Sequence, residues 1–166
     1  MTKLKAHHQA YNMLGCILVA NIAKVFKDHP TNYTYVFLYY GDEEAGAKIG
    51  AATSYYKAGM GNGPDYVIEI DYVGDKNHDL AGRYMSPPEG RFKKIGIKLA
   101  THVWPSESVI HTAQDKIENV DFDRAYLAYK TVISMVEEFE KTGELKPPDT
   151  VDFSKKTSPL WGTEKP

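Results

Sequence analysis

The stretch that most constrains the fold is Tyr35 to Tyr40, an unbroken apolar and aromatic run that ends at Gly41. In a soluble protein such a run suits a strand covered on both faces, as in a parallel sheet with helices on each side. It is therefore expected at the centre of the sheet. Asp42, Glu43 and Glu44 follow at once. Ligands of open α/β sheets bind beyond the carboxyl ends of strands, so these acids stand where that architecture places a site. Adjacent carboxylates on a turn point in different directions, and one can hold a metal while its neighbour handles a proton. The same three residues also read as ordinary solvated loop acids.

With 166 residues, 42% hydrophobic and 25% charged, the chain reads as one α/β domain with a sizeable core. The net charge of −2, with no cluster of Lys and Arg interleaved with aromatics, argues against a nucleic-acid partner. Cys16 is the only cysteine and falls inside an apolar helical pattern. That excludes disulfide frameworks and thiolate metal clusters, and it reads as a small core residue. No apolar run approaches membrane-spanning length, and Met1 to His8 lacks a signal peptide's apolar stretch. The expectation is a cytoplasmic protein with no membrane contact.

Leu14, Ile17, Leu18, Ile22, Val25 and Phe26 share one face at helical spacing, which predicts a helix over 12–28 with Lys24, Lys27 and Asp28 outward. Pro30 ends it. A second helix is expected over 45–57 and a strand over 65–73, its apolar run interrupted by Glu69 and with Asp71 among its last residues. Residues 74–90 read as a long loop and 92–99 as a loosely alternating third strand. Phe122, Ala125, Tyr126, Tyr129, Val132, Ile133, Val136 and Phe139 mark the longest helix, 121–141, with Asp121 or Asp123 at its start and Gly143 after its end. The domain is expected to run over 1–143. The polar, proline-rich residues 144–166 read as a tail, with Phe153, Leu160 and Trp161 as anchors.

Three separated pieces occur in a telling order: the aromatic run before Gly-Asp-Glu-Glu-Ala-Gly, a strand before Ile-Asp-Tyr-Val-Gly, and Val-Ile-His-Thr-Ala-Gln-Asp before the long helix. Together they resemble the zinc-dependent aminopeptidases of metallopeptidase family twenty-eight, a group that includes glutaminyl cyclases and noncatalytic relatives such as the transferrin receptor ectodomain. The resemblance covers about residues 10 to 142. It implies a three-layer helix/sheet/helix fold with a mostly parallel sheet, here shortened, and hydrolysis at the amino end of a peptide substrate. By position it makes Glu43 the general base, Glu44 and His111 ligands of one zinc, and Asp71 a ligand of the other. Zinc lowers the pKa of its water and polarises the scissile carbonyl, which accounts for these residue types.

The chain departs from the family where an Asp at the start of a helix bridges the two metals. Tyr11 or Asn12 occupies that position, and neither is a carboxylate. Ala6 to Gln9 is similar to the family's earlier ligand motif, with His7 as the candidate ligand and Gln9 in place of its Asp. A catalytic zinc normally has three protein ligands, so one zinc or none is expected rather than two. A noncatalytic binding or assembly protein derived from the peptidase fold is the alternative. The family's first strands are missing, which leaves a sheet edge to be covered by a second copy or a partner chain.

Overall fold

The computed structural model of the chain describes residues 10–39, 64–76, 79–85, 94–100, 112–147, 149 and 151, with Tyr11 and Asn12 as backbone only. Helix α1, Ala10–Lys27, forms where the four-residue spacing of Leu14, Leu18 and Ile22 gives one apolar stripe, and all three are buried. Lys24, Lys27 and Asp28 face water as the spacing predicts, whereas Ile17, expected inward, is 50% exposed and Cys16 is half-buried. The helix closes through the amides of Asp28 and His29, which donate to the carbonyls of Val25 and Phe26. These three-residue links tighten the last turn ahead of Pro30.

Helix α2, Phe122–Thr142, has the boundaries that its caps dictate. Asp121 accepts hydrogen bonds from the amides of Asp123 and Arg124 at 3.0 and 3.1 Å, satisfying two of the donors that a helix start leaves open. At the other end Gly143 takes the left-handed conformation, φ 72°, and its amide donates to the Phe139 carbonyl. Asp121→Ala is expected to lower the unfolding free energy by about 1 kcal/mol in urea melts. Asp123→Ala, which removes no cap, should leave the midpoint nearly unchanged.

Three strands form one sheet in the order β1 (Tyr66–Ile70), β3 (Ile95–Ala100), β2 (Ala81–Met85). β1 pairs with β3 in parallel, Glu69 opposite Lys98 and Ile70 opposite Leu99, while β2 pairs with β3 antiparallel. Strand side chains alternate between faces. Ile95, Ile97 and Leu99 of β3 and Tyr66, Ile68 and Ile70 of β1 therefore turn toward α1 and α2, forming one core with Leu14, Leu18, Ile22, Val132, Met135 and Phe139. Gly96, Lys98 and Ala100, on the opposite face of β3, are buried as well. Leu145 and Val151 also belong to the core, so packing continues past Gly143.

Two expectations are corrected. The architecture is mixed α/β, but among the described residues the sheet is mixed rather than mostly parallel, because 81–85, expected as loop, forms β2 antiparallel to β3. Nor are residues 35–39, the described part of the aromatic run, in any strand, and among the described strands the central position belongs to β3. The run serves instead as an aromatic cover. Tyr35 and Phe37 pack on Phe26 at 4.6 and 5.7 Å between ring centroids, and Tyr33 packs on Phe139 at 4.4 Å. Val36 and Tyr39 stay exposed. The Tyr35 hydroxyl donates to Glu140 at 2.5 Å, and burial together with that bond pushes the Tyr35 pKa up. The helix expected over 45–57 lies outside the described residues, as does any second helical layer it would form. Among the described residues no helix is long and apolar enough to cross a membrane.

Candidate functional site

Of the five residues singled out from the sequence, the described structure places one. Glu43, Glu44, His111 and His7 lie outside the described residues, and so does the acidic turn from Gly41. Asp71 stands one residue past the carboxyl end of β1, where its amide still donates to the Leu99 carbonyl at 3.0 Å. The ladder thus carries strand geometry through Asp71 and fixes its side chain on the same face as Glu69.

That face holds a charged group which pattern reading missed. The Nζ of Lys98 lies 2.7 Å from Glu69 Oε1 and 2.7 Å from Asp71 Oδ2. The lysine side chain is 6% exposed, the two carboxylates 23% and 28%. Burial disfavours the ammonium, but the Asp71 and Glu69 carboxylates more than offset it, and the Lys98 pKa lies above its ordinary value. Both acids keep part of their surface in water. Glu69 interrupts an otherwise apolar strand because the parallel register sets it opposite Lys98.

The segment after Asp71 turns sharply inward and is stitched to the start of α2. Tyr72, Val73 and Asp75 are essentially inaccessible, and the Tyr72 hydroxyl donates to Asp75 Oδ2 at 3.4 Å. Asp75 bridges to Val120, and the Asp121 amide donates to the Gly74 carbonyl at 2.8 Å. The loop that follows His111 reaches the same α2 start. There Gln114 donates its amide to Thr112 Oγ1, Asp115 donates its amide to the Thr112 carbonyl, and Asp115 is 2% exposed. Helix α1 meets β1 at Gly15, where an added Cβ would lie 3.1 Å from the Ile70 carbonyl oxygen and 3.8 Å from that of Asp71. The turn bearing Tyr11 and Asn12 lies directly upstream. Strand end and α2 start are thus tied together through the turn that follows Asp71.

Asp71 as placed does not fit the part of a zinc ligand. One of its oxygens already accepts from a buried ammonium, and a dication on the same carboxylate would be repelled by that charge. Unit charges 4 Å apart repel by about 4 kcal/mol at an effective dielectric of about 20, and a dication doubles this. Among the described residues no group of three or more His, Cys, Asp or Glu is disposed to hold a metal ion. Comparison of the chain with models of known families, with curated proteins and with solved structures finds no match.

Proposed function

We propose that the chain is a metallopeptidase-like hydrolase of the aminopeptidase type, with a shortened three-layer fold and a single zinc held by Glu44 and His111 with His7 as the candidate third ligand. The observation that carries this reading is the placement of Asp71 just beyond the carboxyl end of a strand in a parallel pair, with Gly15 of α1 against it and the turn that follows it bonded to Val120 and Asp121. Ligand chemistry in α/β sheets gathers at that position. Glu43 would take the proton from the attacking water and return it to the leaving amine, a role that needs a carboxylate within hydrogen-bond reach of both. Zinc, when bound, would acidify that water and polarise the scissile carbonyl. A second copy of the chain or a partner strand covering a sheet edge belongs to the same reading.

One observation favours the second reading, a noncatalytic binding protein built on the same fold: the Asp71 carboxylate is already paired with Lys98. Zinc content after dialysis, together with turnover of amino-terminal chromogenic substrates, separates the two. A hydrolase is expected to hold zinc and to lose about 100-fold in kcat/KM on Glu43→Gln. Turnover that survives Glu43→Gln unchanged, or a chain with neither zinc nor turnover, ends the hydrolase reading.

A further inference from the structure

A lysine on the central strand of a sheet, buried on both of its faces, is costly unless its charge is fully partnered. Lys98 is such a residue, and the backbone register places two of its partners, Glu69 and Asp71, beside it. Glu69 and Asp71 are two residues apart on one strand, so their side chains fall on the same face. β3 carries Lys98 between them at 2.7 Å from each. An ammonium at equal distance from two carboxylates bridges them as a metal would, although its single charge offsets only one of theirs.

We infer that Lys98 is the resident cation of this strand end and stands in place of the metal that the resemblance assigns to Asp71. The triad's geometry holds by itself, and only the comparison with a metal rests on the hydrolase reading. On the hydrolase reading the chain keeps a cation at this strand end although Tyr11 or Asn12 stands where the family has its bridging carboxylate. Its metal requirement is then confined to one ion at Glu44 and His111. Lys98 is on this account a positioning residue, which holds Asp71 without touching the substrate.

The test uses the full chain and zinc alone as the probe. Zinc content after dialysis is expected to be the same in the wild type and in Asp71→Asn. Lys98→Met takes the buried ammonium from two carboxylates and is expected to lower the melting temperature by roughly 10 °C. Added zinc should restore part of that loss in Lys98→Met but none in the double variant Lys98→Met with Asp71→Asn, a response that lost packing alone would not give. The inference is overturned if Asp71→Asn loses zinc that the wild type holds, or if Lys98→Met melts with the wild type. Should Lys98→Met fail to fold, the comparison of wild type with Asp71→Asn still decides. Zinc lost on Glu44→Gln bears only on the hydrolase reading. A wild type that binds no zinc sinks that reading and leaves the lysine to be judged on Lys98→Met.

Discussion

Phe139→Ala is expected to lower the free energy of unfolding by about 4 kcal/mol, whereas Phe122→Ala in the same helix should change it by less than about 0.5 kcal/mol. Both remove a phenylalanine ring from α2, so intrinsic helix preference cancels in the comparison. What differs is burial, 6% exposed against 59%. The Phe139 ring lies 4.4 Å from that of Tyr33 and 4.8 Å from that of Tyr66, centroid to centroid, so it joins the aromatic cover, the helix and β1 at a single point. Its loss leaves a void that three separate elements would have to shift to fill, which places it at the costly end of large-to-small changes. Urea denaturation at fixed pH reads both variants. Equal losses would mean that the aromatic cover does not hold Phe139 in the folded state.

That cover is the clearest case of a pattern that sequence reading takes for something else. A run of aromatic and aliphatic residues predicts a strand buried on both faces, but only alternate members of this one, Tyr35 and Phe37, are laid on Phe26 while Val36 and Tyr39 remain exposed. Composition tells how much apolar surface a segment carries, not whether a neighbouring strand is available to pair with it. β2 shows the converse. Ala81-Gly-Arg-Tyr-Met85 has no β-branched residue and contains Gly82, so it carries little intrinsic strand preference. It becomes a strand because the exposed edge of β3 pairs with it, a non-local cause that no local window contains. The helices were legible because their signals are local: a four-residue apolar spacing in α1, and in α2 a carboxylate cap at Asp121 with a glycine at 143.

At the candidate site the same division applies. Asp71 was legible as a carboxylate near a strand end, although the strand closes at Ile70 and not at Val73 as its apolar run suggested. Lys98 was not, since a single lysine in a loosely alternating strand looks like a solvent-facing residue. Its meaning depends on the parallel register that sets it beside Glu69, and register between strands 29 residues apart in sequence is a tertiary fact. Glu69 in an apolar run and Lys98 in another were each weak anomalies. Taken as a pair they carried a signal, because a buried charge implies a partner of opposite sign.

Gly74→Ala is expected to cost about 3 kcal/mol, of which roughly 1 kcal/mol is backbone strain and the rest steric. Gly74 has φ 87°, in the region where a side chain crowds its own carbonyl. An added Cβ would lie 3.2 Å from the Asp121 carbonyl oxygen, 3.3 Å from Ala125 Cβ and 3.3 Å from Leu14 Cδ1. None of the three can yield alone, because Asp121 caps α2 and donates its amide to Gly74, Ala125 sits in the first turn of α2, and Leu14 is a buried residue of α1. Gly143→Ala provides the internal comparison, since it too has positive φ but its nearest obstacle is the Tyr33 hydroxyl, the far end of a side chain that can swing aside. It should cost only about 1 kcal/mol. Urea melts measure the difference, and hydrogen exchange at the Asp121 amide shows where the damage falls. Exchange there should accelerate in Gly74→Ala and not in Gly143→Ala, because only the first substitution pushes the α2 start off the turn that follows Asp71. Equal protection of that amide in both variants would mean that Asp71 and α2 are not held together at Gly74, and the framework around Asp71 would have to be drawn without α2.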